Sequence, residues 1–292
     1  MPEFDFAADE PIVVTIVLDI GRAQISAGDH ARTAADVHPS DSSNPCDVAT
    51  AGLARVTYTA GELMVAVPAG HGPPGSGSVI VDVRVPSGSR VHANALAADF
   101  HGTGRLGTCR IVTGCGHIRL DQTGPLYLSS DLGNISVERA VGGVEAAAGS
   151  GDISIREIDG PAQVHRRTGN TRIGELTGDL RVCADRGDLH VGRAHSGVEA
   201  SAARGDIRID ETVHGLLLLE TGCGRLDIGI AHGSDAILDL NARVGTVYRA
   251  LDLVDGVAPA HHRERTVEVR SRTGMGDIVV RRGALGHDLD WR

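Results

Sequence analysis

One short phrase, glycine followed by apolar residues two and four positions later, recurs through residues 107–228 and limits the fold more than any other feature. Apolar and polar residues alternate within each copy, which is the pattern of a β-strand with one buried face. The glycine supplies a turn conformation that is closed to most other residues. The copies are spaced by 17 to 19 residues. They open at Gly116, Gly133, Gly151, Gly169, Gly187, Gly205 and Gly224.

A period near 18 residues without a helical segment predicts an all-β fold, a single-stranded parallel β-helix or β-solenoid with one period per coil. Each unit of such a fold buries its apolar face only by stacking on the next, at a strand spacing of about 4.8 Å. Weaker glycine phrases lie halfway between the copies, so each coil is expected to have two unlike walls. A meander of antiparallel hairpins is the alternative, and the strength of the full period over the half period disfavours it.

The regular period divides the chain into three predicted parts. A β-rich N-terminal cap is expected at 1–85, where it would cover the open first coil and prevent edge-to-edge association. Regular solenoid coils follow at 86–230. Irregular final coils and a C-terminal cap are expected at 231–292, because the strict period is lost there.

Several local features refine these parts. Residues 11–28 are expected to form two strands around Gly21, and residues 38–47 to form a polar, turn-rich loop. A second polar loop is expected at 257–265. The glycine phrase then returns once more at Gly276, which predicts a final coil after an inserted loop.

Composition disfavours several classes of partner. The formal charge is −10 at pH 7, whereas nucleic-acid binding requires a positive field. Aromatic residues make up 2% of the chain, too few for a surface on which bases stack. No apolar run is long enough to predict a membrane span. The first ten residues are acidic and the apolar run 12–20 lacks a basic leader. These features predict no signal peptide and a cytoplasmic location, with a surface location left open.

Five stretches occur in a particular order along the chain. They are PIVVTIVLDIGRAQISA near the start, VPSGSRV at 85–91, the repeated GDI phrases, DAILDLNARVGTVYRALD at 235–252 and RSRTGMGDIVVRR near the end. In this order they resemble the bacterial adhesin-like β-strand-repeat family of unknown function, in its actinobacterial form. The resemblance covers nearly the whole chain and implies a β-solenoid. It supplies no catalytic or binding residues.

The position after each glycine provides the strongest catalytic hypothesis. If the coils stack in register, Asp188 and Asp206 lie one rung apart, near the roughly 5 Å carboxylate separation of retaining glycoside hydrolases. The opposing interpretation is that these are turn residues whose side chains accept hydrogen bonds from nearby backbone. A carbohydrate-binding or polysaccharide-cleaving β-helix that uses this pair is therefore the alternative function.

Neither a metal nor a cofactor is predicted. Calcium-binding nonapeptide repeats need Gly-Gly-x-Gly-x-Asp, and the stretch from Gly149 to Asp152 has the aspartate at the wrong offset. Cys115 and Cys223 occupy equivalent TGCG phrases but lie several predicted coils apart, too far to share a zinc ion. The five cysteines are odd in number and lack CxxC spacing, which indicates reduced thiols, with Cys109 buried.

The outward column of the stronger wall carries a basic stripe, which is the predicted binding surface. It consists of Arg119, Arg172, His190 and Arg208. An ordinary solvated wall is the alternative interpretation. Because a solenoid presents ladders of side chains, we predict a non-catalytic interaction or scaffold protein, adhesin-like, with a protein or glycan partner. Homo-oligomers through the solenoid ends or edges are a further expectation.

Overall fold

The computed structural model describes residues 3–7, 10–29, 32–68, 77–251 and 266–283. Nearly all of the regular structure is β-strand, and most strands pair in parallel, which confirms the predicted all-β solenoid with strand-rich ends. The chain forms two compact units, an N-terminal unit at Met1–Ser150 and a C-terminal unit at Gly151–Arg292. The divisions predicted near residues 85 and 230 stay predictions.

The described part of the N-terminal unit contains twelve strands and one helix. In chain order these are β1 (Glu3–Ala7), β2 (Val13–Gly28), β3 (Arg32–Pro39), α1 (Pro45–Gly52), β4 (Arg55–Thr59), β5 (Glu62–Val67), β6 (Val79–Pro86), β7 (Arg90–Arg105), β8 (Cys109–Cys115), β9 (Ile118–Thr123), β10 (Leu126–Leu132), β11 (Ile135–Val141) and β12 (Val144–Ser150).

Each coil of this unit contributes to two walls of parallel strands. Wall A stacks β5, the first half of β2, the first half of β7, β8, β10 and β12. Wall B stacks β6, the second halves of β2 and β7, β9 and β11. The register follows the sequence period, since Leu126 pairs with both Cys109 and Val144.

The start of the chain does not form the first rung. Strand β2 lies between the rung of β5 and β6 and the rung of β7, so a later segment supplies the outermost rung. Strand β3 pairs antiparallel with β6, β1 with β3, and β4 with β5. Residues 13–28 form one continuous strand rather than the two predicted around Gly21, although the halves of β2 pair with different strands.

Close stacking explains the glycine that opens each copy of the phrase. Inward residues such as Ile118 and Leu120 are fully buried. The backbone at Gly133 has φ of +148°, and a β-carbon there would lie 2.0 Å from the carbonyl oxygen of Gly116 on the preceding rung. No other residue type fits this turn without moving one coil away from its neighbour.

Helix α1 corrects the loop predicted at 38–47, whose last three residues belong to it. Asn44 caps it through an Oδ1 that accepts a hydrogen bond from the Cys46 amide at 3.0 Å, and Pro45 occupies the first turn, where no amide donor is needed. The buried carboxylate of Asp47 accepts from the Asp41 and Ser78 amides, both at 3.0 Å. Cys46 therefore lies in a helix.

The described part of the C-terminal unit contains thirteen strands. They are β13 (Ile153–Asp159), β14 (Ala162–Thr168), β15 (Thr171–Leu176), β16 (Leu180–Arg186), β17 (Leu189–Ala194), β18 (Val198–Arg204), β19 (Ile207–Thr212), β20 (Gly215–Cys223), β21 (Leu226–Ile230), β22 (Asp235–Val244), β23 (Val247–Ala250), β24 (Thr266–Met275) and β25 (Ile278–Arg282).

The order of rungs in this unit departs from the order of the sequence at its end. Wall A stacks β14, β16, β18, β20, β24 and β22, and wall B stacks β13, β15, β17, β19, β21, β25 and β23. The coil predicted at Gly276 thus lies between two earlier rungs. The polar loop predicted at 257–265 lies outside the described residues.

Candidate functional site

Three residues of the predicted basic stripe form one column on wall B of the C-terminal unit. Arg172 pairs in register with His190, and His190 pairs with Arg208. They therefore stand on successive rungs, about 4.8 Å apart, with both arginines exposed. The geometry expected from the period is present, while the role of the column in binding stays a prediction.

An acidic residue that the sequence reasoning missed, Asp210, contacts two of the three residues of this column. The Asp210 carboxylate lies 2.7 Å from His190 Nε2 and 2.7 Å from Arg208 Nε. Arg281 lies 3.4 Å from the same carboxylate and 2.8 Å from Asp227. The sequence did carry a signal for Asp210, because the alternation of side chains along β19 places Arg208 and Asp210 on the same outward face. Among the described residues, Arg172 has no such partner.

The Asp210 cluster predicts a specific dependence of stability on pH. Burial raises the pKa of Asp210, but the hydrogen bonds from His190 and Arg208 outweigh this and lower it to about 2. A carboxyl whose folded pKa is depressed stabilises the protein fully above its unfolded pKa, about 3.9, and loses that contribution as the pH falls towards 2. We expect Asp210→Asn to cost about 1 kcal/mol at pH 7, because the group is partly solvated.

Urea unfolding at a series of pH values tests this expectation. The difference between wild type and Asp210→Asn should shrink as the pH falls from 4 towards 2. The exposed Asp239 provides the control, and Asp239→Asn should match wild type at every pH. A difference that stays constant down to pH 2 would show that the Asp210 charge does not carry the effect.

The fourth stripe residue, Arg119, lies in the N-terminal unit within a depression of about 560 Å³ on wall B. Gln24, His101, Arg119 and Ser136 pair in register along this wall and form a ladder of polar side chains, one per rung. Gln24 and Arg119 are exposed, and His101 and Ser136 are half-buried. The local period could not reveal this ladder, because the register of β2 against β7 joins distant parts of the chain.

A second polar column borders the same depression at the glycine turns. Arg22 lies 3.9 Å from Asp99, whose Oδ1 accepts a hydrogen bond from the His117 amide at 2.9 Å. The Nδ1 atom of His117 accepts from the Asn134 amide at 3.1 Å. In the neutral ring the proton therefore resides on Nε2, which is left to donate to a ligand. The depression thus combines guanidinium, imidazole, amide and hydroxyl groups.

The proposed catalytic pair occupies the equivalent turn column of the C-terminal unit. Asp188 Oδ1 accepts a hydrogen bond from the Asp206 amide at 2.9 Å, and Asp206 Oδ1 accepts from the Arg225 amide at 2.7 Å. Asn170 repeats the arrangement, since its Oδ1 accepts from the Asp188 amide at 3.0 Å. These hydrogen bonds link each rung to the next, which favours the interpretation of both aspartates as turn residues.

A buried arginine lies beside this column. Arg166 on wall A is 4% exposed, and its guanidinium donates to the carbonyl oxygens of Gly169 and Gly187, the latter at 3.2 Å. Burial lowers the pKa of Arg166, which Asp152 and Asp188 nearby partly offset. On a later rung Thr221 occupies the equivalent position, and its hydroxyl donates to the Gly205 carbonyl at 3.0 Å. Arg166 and Thr221 therefore each satisfy carbonyl groups of the glycine turns.

The cysteines act as separate groups in the described structure. All five are free thiols, and Cys109 is buried, as predicted. Burial raises the pKa of the Cys109 thiol to about 12. Across the described ranges, no group of three His, Cys, Asp or Glu side chains converges as metal ligands. Nor do these ranges contain a helix with the length and hydrophobicity needed to cross a membrane.

No known protein-family model matches this chain, and no curated protein matches it. Solved structures do resemble it. A candidate adhesin from Parabacteroides merdae is 14% identical, with 77% of this chain and 95% of that chain covered and a TM-score of 0.48. A candidate adhesin from Bacteroides fragilis is 11% identical, with 96% of each chain covered and a TM-score of 0.36.

A third solved structure is that of a candidate lipid-binding protein from Parabacteroides distasonis. It is 13% identical to this chain, with 96% of each chain covered and a TM-score of 0.34. Two of these three proteins thus carry an adhesin description, and the actinobacterial form of the resemblance stays a prediction.

Proposed function

We propose that this protein is a non-catalytic interaction protein that presents repeating polar walls to a partner. The observation that carries this proposal is the ladder of Gln24, His101, Arg119 and Ser136, which stands one rung apart along the depression of the N-terminal unit. Paired strands hold these side chains at fixed spacing. A partner therefore meets a preorganised surface and loses little conformational entropy on binding.

Two further features support a binding role. Arg172 adds an exposed guanidinium on the C-terminal unit, with no ion-pair partner among the described residues. The oxygens of Asp188 and Asp206 that accept backbone hydrogen bonds are used to join rungs, which supports a structural rather than a catalytic use. The proposed function is adhesin-like in the sense that the protein binds its partner through a wall of the solenoid. We further propose a protein or glycan as the partner and the cytoplasm as the location, with a surface location left open.

Affinity capture with charge-reversal variants tests the proposal. The tagged protein, an Arg119→Glu, Arg172→Glu variant and an Arg90→Glu control are used to capture partners from the native host, followed by mass spectrometry. Arg90 is exposed and does not line the depression. We expect wild type and control to retain one stoichiometric partner, and the double variant to retain at least about tenfold less, since an arginine that contacts an acidic group of the partner becomes repulsive when it is replaced by glutamate.

Circular dichroism and urea unfolding establish that each variant remains folded. A partner retained equally by the double variant would exclude the stripe as the binding surface. Failure of every form to retain a protein or a glycan would count against the interaction role itself.

A further inference from the structure

Wall A of the C-terminal unit carries a groove that runs across its rungs. One residue from each of six neighbouring strands lies along it, beginning with Arg167 and Asp185 and ending with Arg243. Between these ends stand the small residues Ala203, Gly222 and Gly274, which leave space above the backbone. The strand spacing gives the groove a length of about 24 Å. It comprises two adjoining depressions of about 440 and 620 Å³ that share Ala203.

The glycines of the groove floor are required by stacking. A β-carbon at Gly222 would lie 2.6 Å from the Ala203 carbonyl oxygen, and one at Gly274 would lie 2.4 Å from that of Gly222. Side chains are therefore excluded from the floor, and the depression is a fixed consequence of the backbone. Among the described lining residues, the longer side chains lie beside this floor or at its ends.

Positive charge is concentrated around this floor although the chain as a whole is acidic. Five arginines and two carboxylates line the two depressions, a local formal charge of +3. The arginines are Arg167, Arg186, Arg204, Arg243 and Arg272. Within the part of the chain that the structure describes, none of them is in an ion pair.

Several arginines elsewhere in the unit are held in ion pairs. Arg181 pairs with Glu199 at 2.8 Å, Arg193 with Glu211 at 2.7 Å, and Arg270 with Glu268 at 2.6 Å. The guanidinium groups of the groove therefore remain available to an anion. Arg186 and Arg204 are direct neighbours on adjacent rungs, so two arginines extend from backbone positions about 4.8 Å apart.

The remaining groups limit which anion fits. Asp185 and Glu220 lie in the groove, so a densely charged polymer such as a nucleic acid would be repelled in places. Among the described residues, no aromatic ring lines the groove for base stacking. Carboxylate, amide and hydroxyl groups interspersed with arginines match a ligand that alternates hydroxyls with carboxylates.

We propose that this groove binds a linear acidic polysaccharide, a chain of uronic acid sugars that lies along the stacking direction. Arginine side chains pair with the sugar carboxylates in fork geometry. Ser201 and Asn241 exchange hydrogen bonds with the sugar hydroxyls, and the two carboxylates accept hydrogen bonds from them. Since the residues are different and belong to the other unit, this site does not depend on the partner proposed for the Arg119 depression.

Binding of sodium polygalacturonate to the full chain tests this proposal, measured by calorimetry at low and moderate salt. Dextran serves as a neutral polymer and single-stranded DNA as a polyanion of another class. The decisive variant is Arg186→Glu, Arg204→Glu. Its control, Arg181→Glu, Arg193→Glu, has the same change of charge outside the groove. Circular dichroism confirms the fold of both.

We expect saturable binding of polygalacturonate by wild type and the control, weaker binding at higher salt, and no binding of dextran. The groove variant should bind at least about tenfold more weakly. Absence of binding by wild type would overturn the proposal, as would an equal loss in both variants, which would indicate only a general effect of charge. Tighter binding of single-stranded DNA than of polygalacturonate would overturn the assigned class of ligand. Each of these outcomes leaves the Arg119 experiment unaffected.

Discussion

Replacing Gly133 by alanine is expected to destabilise the N-terminal unit by at least about 3 kcal/mol. The backbone there has φ of +148°, a region that residues with a β-carbon rarely adopt. The new methyl group would also lie 2.0 Å from the Gly116 carbonyl oxygen and 2.6 Å from its carbon. Both atoms belong to the backbone of the adjacent rung, so relief requires that two coils separate. Urea unfolding followed by circular dichroism measures the loss.

Gly143 provides the matched control within the same unit. A β-carbon there would meet nothing within 4 Å. We expect Gly143→Ala to be neutral or to stabilise by about 0.5 kcal/mol, because alanine restricts the unfolded chain. Equal effects of the two substitutions would show that the stacked turn does not require glycine at Gly133.

Replacing Arg166 by alanine is the second substitution with a large expected effect, a loss of about 3 kcal/mol from the C-terminal unit. The side chain is 4% exposed, and its guanidinium serves the carbonyl oxygens of Gly169 and Gly187. Truncation leaves both oxygens without that donor and opens a cavity beside Ala184, which occupies the same column on the next rung. Urea unfolding at pH 7 measures this loss.

Two further variants distinguish the stability lost with the hydrogen bonds from the stability lost to the cavity. Arg166→Thr introduces the residue found at position 221 of the same column, whose hydroxyl donates to a glycine carbonyl. It should therefore be less destabilising than Arg166→Ala. Arg167→Ala alters the exposed neighbour and should change stability by no more than about 0.5 kcal/mol. If Arg166→Thr is no better than Arg166→Ala, satisfaction of the turn carbonyls is not the role of this column.

The repeated coils were predictable because their determinants are local. An inward residue such as Ile207 is placed by the glycine two positions before it and by the alternation that follows, and its partner Leu189 lies one period away. The column of Arg172, His190 and Arg208 followed from the same rule. A constant period fixes both the strand and its register, which a single strand in isolation cannot do.

The features that the period did not reveal depend on contacts between distant residues. Gln24 meets His101 only because β2 lies beside β7, and no repeat links these segments. Asp210 contacts His190 on the neighbouring rung, and the period alone does not predict such a contact between side chains. Helix α1 interrupts the strands where Asn44 and Pro45 begin it, and this capping signal was outweighed by the polar composition of the loop.

The position of β24 and β25 between two earlier rungs has a consequence for how the chain reaches this structure. Synthesis delivers β22 before β24, yet among the described strands β24 is the partner of β22 in wall A. A repeat protein can usually grow by adding each new unit to a free end. Here that mode of growth ends at β20 and β21. Residues 266–282 must then insert between the rung of β20 and β21 and the rung of β22 and β23, both of which have already been translated. The last described segment to leave the ribosome therefore joins the rungs on either side of it into one stack.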